Sequence, residues 1–294
     1  MKLSVAVAAF NAAYTGRDSA LSQRLSWWVG ELGPETDVTT IDADRIDQAM
    51  VRLANRGAMQ NISGRGLRPA GRLLAPSTLN RYQFALGSLF KYLRQRRILP
   101  RTWHNPLRDI PSQPEGEGRL CYITAEQVKQ VVVIARTMTW PKFAALIMVA
   151  FNSGLRRGAL TGLRWRDVDW TSGTVTVERT KNGRGIVCPL TAETMDELKA
   201  IKCLDDRPDA LIFSGKHPNK PHDFRHSWER VLQECGIEYM PFHAMRHSTA
   251  SHAAKNGAST VMLMNLLGHA SPKMSARYAH FAVSDKAEFV NRIF

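Results

Sequence analysis

Three short segments crowd the last fifth of this 294-residue chain: His243-Ala-Met-Arg246, Leu266-Leu-Gly-His269 and Arg277-Tyr278-Ala-His280. A tyrosine therefore follows two histidines and an arginine. A phenol has a pKa of about 10 and is a poor nucleophile at neutral pH. It acts covalently only if neighbours take its proton and stabilise charge on its target. Arginine and histidine suit that work when the target is a phosphodiester. His243 and Arg246 lie three residues apart, so on a helix they project from one face. A second guanidinium from elsewhere in the chain would complete a pair. Two planar forks can hold the non-bridging oxygens of one phosphate, and they hold the more highly charged pentacoordinate transition state better than the ground state.

Such residues must be positioned by a larger frame, and composition bounds it. Lys and Arg outnumber Asp and Glu by 40 to 26, a formal net charge of +14. That balance favours polyanionic partners, nucleic acid above all. A length prior of roughly 150 residues per domain predicts two domains. The four cysteines, Cys121, Cys188, Cys203 and Cys235, are scattered without a C-x-x-C pair and are expected to be reduced thiols. No segment approaches the roughly 18 consecutive apolar residues of a membrane span. The apolar start imitates a leader, but Asn11 and Tyr14-Thr-Gly-Arg17-Asp18 follow directly. The expectation is a cytoplasmic protein opening on a packed helix with Val5, Ala8, Ala9, Ala12 and Ala13 on its buried face.

The fold class expected is mainly α with a small antiparallel β-sheet (α+β). Residues 1–110 form a helical domain, 111–118 a linker and 119–294 a second domain. In the first domain Leu21, Leu25, Trp28 and Leu32 recur at helical spacing, and Thr40-Ile-Asp-Ala-Asp44 offers a capped start for a helix running through Arg56. Asn61 to Ala75 is glycine-rich and basic, which predicts a loop. Pro76-Ser77-Thr78 opens a helix with Leu79, Tyr82, Leu86, Leu89, Phe90 and Leu93 on one face. Its other face, with the preceding loop, offers Arg65, Arg68, Arg72, Arg81, Lys91 and Arg94 to phosphates. Pro111-Ser-Gln-Pro-Glu-Gly-Glu-Gly118 has no apolar residue, as a linker should. In the second domain Thr124 is an N-cap, and Phe143 to Phe151 an apolar helix. Thr174–Glu178 and Gly185–Leu190 pair as a hairpin across Asn182-Gly183. Helices follow from Thr191, Asp223, His243 and Val261. Trp27, Trp28, Trp103 and Trp140 are read as core, and His217, His222, His226, His252 and His280 as structural or surface residues.

The run Asn152-Ser-Gly-Leu-Arg156-Arg-Gly-Ala-Leu160-Thr-Gly-Leu163-Arg-Trp165-Arg-Asp167-Val168 resembles the first arginine box of the tyrosine recombinases, the phage integrases and their relatives. There a T-G-x-R turn leads into a helix and then L-x-x-L-x-W-x-D. Thr161-Gly-Leu-Arg164 also spells T-G-L-R, but Leu160, Leu163, Trp165 and Asp167 fit the family only if Arg156 is the box arginine. Arg157 and Arg164 are then surface residues. Ala159 departs from the acidic residue usual there. The resemblance continues in order through Lys181 at the hairpin tip, His243-x-x-Arg246-His247, Leu267-Gly268-His269, and Tyr278 nine residues after His269.

The resemblance implies a helical core-site DNA-binding domain followed by a catalytic domain. It implies a catalytic set of Arg156, Lys181, His243, Arg246, His269 and Tyr278. Tyr278 would attack the phosphorus and give a 3′-phosphotyrosyl bond. Lys181 would protonate the leaving 5′-hydroxyl, His243 would serve as acid/base near Tyr278, and His269 would donate to a phosphate oxygen. Neither metal, ATP nor other cofactor is called for. The partners implied are double-stranded DNA with specific core sites and other copies of the chain in a tetrameric synapse. In that synapse the tail 279–294 would dock on a neighbour. No arm-binding domain is expected, and the setting would be the nucleoid of a bacterial cell or phage-infected host. A type I topoisomerase-like relaxing enzyme and a non-enzymatic DNA-binding regulator are the alternatives.

Overall fold

The structure, a computed structural model, describes residues 1–62, 66–116, 121–178, 183, 185–202 and 207–278, without the side chains from 60 to 67. Arg65, Lys181, Cys203, His280 and the tail expected to dock lie outside the described residues. The chain divides into two compact units, Met1–Gly118 and Arg119–Phe294.

The first unit contains α1 (Leu3–Ala13), α2 (Leu21–Leu32), α3 (Ala43–Arg56), β1 (Met59–Ile62), β2 (Gly66–Pro69) and α4 (Pro76–Gln95). Helix α2 buries Leu21, Leu25, Trp28 and Leu32, the stripe its spacing predicts. Helix α3 starts where Asp42 accepts from the backbone N–H of Arg45, satisfying one of the unpaired donors of a helix start. Pro76 opens α4 at a position where its missing N–H costs nothing. The core is the apolar faces of the four helices, with Trp28 donating its indole N–H to Tyr82 O at 2.8 Å.

Two expectations for this unit are corrected, and a third region gains detail. Helix α1 buries Leu3, Ala6, Val7 and Phe10, and Val5 is 52% exposed. A face with Leu3 and Phe10 removes far more apolar area from water than an alanine face, so the larger side chains set the rotation. The basic segment expected as a loop contains an antiparallel pair, with Met59 opposite Pro69 and Ile62 opposite Gly66. Backbone bonds extend it, from Ala58 N–H to Arg72 O and from Ala70 N–H to Ala58 O, both at 2.8 Å. A ladder carried by main-chain bonds leaves little hydrophobic alternation to read. The expected linker is tied down as far as Glu115. Asn80, 3% exposed on α4, donates to Gln113 O and Glu115 Oε1 and accepts from Gln113 N–H at 2.8 Å.

The second unit runs α5 (Ala125–Arg136), α6 (Phe143–Ser153), α7 (Arg157–Thr161), β3 (Val168–Asp169), β4 (Thr174–Val177), β5 (Ile186–Pro189), α8 (Ala192–Lys202), α9 (Arg225–Glu234), α10 (Ala244–Lys255), α11 (Thr260–Leu267) and α12 (Pro272–Ala276). Thr124 and Gln127 form a reciprocal capping box at the start of α5. Helix α6 is apolar on every side and buried from Phe143 to Ala150, as befits a central helix. Around it lie α5, α8, α10 and the sheet β3-β4-β5. The predicted hairpin pairs Val175 with Cys188 and Val177 with Ile186, and β3 adds a third antiparallel strand. A two-residue strand is too short to show alternation in sequence. The main core is joined by a smaller cluster of Ala250, Ala254, Leu263, Leu267 and Tyr278.

Candidate active site

Two left-handed glycines set two of the expected site residues. Gly154 ends α6 with φ +58, and the chain passes through Leu155 into Arg156, the extended N-cap of α7. Gly268 ends α11 with φ +60 and delivers His269, whose N–H bonds Met264 O at 3.0 Å. Glycine adopts this backbone without the Cβ penalty, which is why a helix can stop abruptly and present the next residue.

Arg246 connects the two turns. It is 5% exposed in the first turns of α10. One Nη donates to Gly154 O at 2.7 Å and the other to Leu267 O at 2.6 Å. A guanidinium has five N–H donors, and these two bonds use two of them. Burial and the charge of Arg156 pull the Arg246 pKa down to about 10, with Tyr278 and Cys188 opposing. It is still a cation at neutral pH. Arg246 thus holds the Arg156 turn and the His269 turn in register while keeping donors of its own.

The imidazoles sit in a positive field. His269 accepts or donates through Nδ1 to the buried Ser275 Oγ on α12 at 2.8 Å, and its pKa is pushed to about 4 by burial and by nearby arginines. His243 is the N-cap of α10, exposed, and is shifted below its ordinary value by desolvation, Arg246 and Arg156. One turn along, His247 packs edge to face on His243 at 5.4 Å between ring centroids. Its Nδ1 lies 2.5 Å from the Tyr278 hydroxyl. Burial, then His243, Arg277 and Arg246, push His247 down to about 4. Tyr278 is 1% exposed, and burial raises its pKa against the pull of Arg277 and Arg246.

The imidazole in contact with the Tyr278 hydroxyl is that of His247. On a helix the two histidines share a face one turn apart. Sequence reasoning placed His247 in the motif without a role, and its only signal was that i+4 spacing. The structure brings Arg156, His243, His247, Arg246, His269 and Tyr278 into one electrostatic neighbourhood. The expected DNA-contacting residues belong to the other unit, where Arg68, Arg72, Arg81, Lys91 and Arg94 are exposed.

Other residues fall as follows. Arg157 is exposed and lies over the Phe224 ring at 5.0 Å. Arg164 is half-buried, not a free surface group, because its guanidinium donates to Asp209 O. Trp140 stacks on His222 at 4.2 Å, and His252 meets Ile123 O at 3.3 Å. His217 and His226 are exposed. Cys188 is buried beside the site, its thiol pushed up to about 11 by burial, and it stays a protonated thiol. Among the described residues, no group of three or more His, Cys, Asp or Glu is placed to hold a metal ion.

Comparison with known proteins places this arrangement. Residues 122–284 match the phage integrase family. A tyrosine recombinase of Thermosipho africanus is 24% identical over 219 residues, 74% of this chain and 76% of the relative. The integrase of Escherichia phage 186 is 26% identical over 213 residues, 71% of this chain but only 58% of the phage protein. In fold, the Tn1549 transposon integrase in complex with transposon right end DNA superposes with a TM-score of 0.75 at 14% identity. That superposition covers 99% of this chain and 100% of that one. The match spans more than half the chain and every described residue of the site: the chain belongs to the phage integrase family and is a tyrosine recombinase.

Proposed function

We propose that this chain cuts and rejoins double-stranded DNA at specific core sites through a 3′-phosphotyrosyl intermediate on Tyr278. The observation that carries the reading is Arg246, a buried cation bonded to the turns of Arg156 and His269 and electrostatically coupled to Tyr278. Arg156 and Arg246 hold the non-bridging oxygens of the scissile phosphate, where removal of either guanidinium costs on the order of 2.7–4 kcal/mol by analogy with a lost oxyanion donor. His269, aimed by Ser275, donates to a phosphate oxygen, and the exposed His243 completes the cradle. Lys181 protonates the leaving 5′-oxygen. The energy of the broken phosphodiester is kept in the tyrosyl ester, so rejoining needs no ATP.

Binding is assigned to Arg65, Arg68, Arg72, Arg81, Lys91 and Arg94 in the first unit, supported by the exposure of the described members of that set. Two cuts on each of two sites call for a tetrameric synapse, with the segment after Tyr278 docking on a neighbouring copy. No described helix is long and apolar enough to cross a membrane. The protein is assigned to the compartment that holds its DNA, the bacterial cytoplasm and nucleoid.

The test uses a pool of nicked duplexes of randomised sequence, in which cleavage releases a short strand and traps the covalent state. Wild type gives an SDS-resistant protein–DNA adduct enriched for one sequence class, and Tyr278→Phe gives none. An equal adduct from Tyr278→Phe, or no adduct from wild type, overturns the assignment. Adduct without sequence enrichment, joined to relaxation of any supercoiled plasmid, turns the reading towards a topoisomerase-like enzyme.

A further inference from the structure

We propose that His247 is the residue that takes the phenolic proton of Tyr278 during strand cleavage and returns it during rejoining. The proposal rests on the reading of Tyr278 as nucleophile and deepens it. Its geometric basis is the 2.5 Å contact between His247 Nδ1 and the Tyr278 hydroxyl, the one side-chain hydrogen bond described for that phenol. His247 is half-buried on α10 next to Arg246, and Tyr278 is closed into the small cluster formed by α10 and α11. A proton leaving the phenol thus has an acceptor already within reach.

The protonation states agree with that direction of transfer. At neutral pH the His247 ring is uncharged, so with the hydrogen on Nε2 its Nδ1 lone pair accepts the O–H of Tyr278. In the resting site the transfer is strongly uphill, because burial and positive neighbours disfavour an imidazolium while burial disfavours a phenolate. A bound phosphodiester changes both sides. The groups facing His247 are His243 and Arg246 on its own helix, and His269, Arg277 and Tyr278 from beyond it. A phosphate held by the arginines offsets their field and favours the imidazolium. Bond formation to phosphorus at the same time acidifies the phenol. The base is therefore inert without substrate and becomes competent with it.

In cleavage the Tyr278 oxygen bonds to phosphorus while its proton passes to His247 Nδ1. The bond from phosphorus to the 5′-oxygen breaks, and its electron pair leaves on that oxygen, which takes a proton from Lys181 or a water. In rejoining the 5′-hydroxyl attacks, the tyrosyl oxygen leaves, and the His247 imidazolium returns the proton to it.

The test follows adduct formation against pH on the nicked duplex enriched with wild type, comparing wild type, His247→Ala and His247→Asn. The asparagine Oδ1 stands where Nδ1 does, so it holds the tyrosine but takes no proton. The expected result is a wild-type rate that is flat between about pH 6.5 and 9. His247→Asn should be slower by about 10²–10⁴-fold at neutral pH and gain about tenfold per pH unit as hydroxide replaces the base. His247→Asn within about threefold of wild type overturns the proposal. So does a slow variant whose profile stays flat, or loss of duplex retention by both variants, since each marks a structural imidazole. Failure of Tyr278→Phe to abolish the adduct instead overturns the underlying nucleophile assignment.

Discussion

In the first unit Arg68, Arg72, Arg81, Lys91 and Arg94 stand exposed. In the second, Arg246 is 5% exposed and bonded to two backbone carbonyls, and three imidazoles around it are held below their ordinary pKa. The first arrangement attracts a polyanion without demanding an exact geometry. The second, on the proposed reading, offers a small number of preorganised donors to one phosphate, with little to reorganise during reaction. The difference teaches that charge used for affinity is spread and tolerant, whereas charge used for chemistry is buried and bound to the fold.

The sharpest break of that comparison lies between the two site arginines. Arg246→Ala removes donors from both Gly154 O and Leu267 O, each a loss of about 1–3 kcal/mol when the carbonyl is left unsatisfied. Adduct formation should fall by about 10²–10³-fold or more, and the urea midpoint should fall with it. Arg156 is half-buried and caps α7 with its backbone only. Arg156→Ala should therefore lose about the same rate with little change in midpoint. If both variants melt like wild type, Arg246 is not the brace described above.

Acid should reveal the buried imidazoles next. His247 and His269 have folded pKa values of about 4 against an ordinary 6.5. Between those values the unfolded chain binds protons that the folded chain refuses, so stability is full above about pH 6.5 and falls as pH drops towards 4. The slope is up to about 1.4 kcal/mol per pH unit for each imidazole. Depressed carboxylates such as Asp223, at about 2, lose their contribution below about pH 5, so the slope between about pH 5 and 6.5 belongs to the imidazoles. Urea midpoints for wild type and His269→Asn across pH 4 to 7 check it. An equal slope in the variant removes His269 from the account.

How much of this was legible in the sequence follows the same division. Arg156, His243, Arg246, His269 and Tyr278 could be found because the chemistry fixes residue type, and helix and turn geometry fix spacing. The contact of His247 could not be read, since only the fold shows which of two histidines on one helix face meets the phenol. In the first unit the α2 stripe was plain because four large apolar residues repeat. The face of α1 was misread because alanines fit several faces equally. The β1-β2 pair rests on main-chain bonds and the Asn80 tether on one polar side chain, and neither leaves a hydrophobic pattern to read.

The two helix stops differ in a way that sharpens the role of the brace. A Cβ on Gly154 meets Leu267 Cδ2 at 2.6 Å and Thr249 Cγ2 at 3.3 Å, whereas one on Gly268 meets only Ile186 Cδ1 at 3.4 Å. Both positions have positive φ, a cost of about 1–2 kcal/mol for alanine. Gly154→Ala adds a clash in a packed cluster, on the order of 1–3 kcal/mol more. Thermal melts should rank Gly154→Ala below Gly268→Ala, and the reverse order would place the tight contact elsewhere.

The smallest effects belong to the exposed cations, and they test the other half of the comparison. Arg81→Ala, Lys91→Ala and Arg94→Ala should each leave the urea midpoint within about 0.5 kcal/mol of wild type. If each residue neutralises one phosphate, each variant lowers the slope of log affinity against log salt by about 0.9. The loss should be uniform across duplex sequences, because a phosphate contact carries no sequence information. Filter-binding titrations over a range of salt, on the enriched duplex and on a scrambled one, measure both quantities. A variant that loses affinity for the enriched duplex alone is reading a base edge. That residue would then share the positional precision assigned here to the second unit, and the division between spread and fixed charge would have to be redrawn at that position on α4.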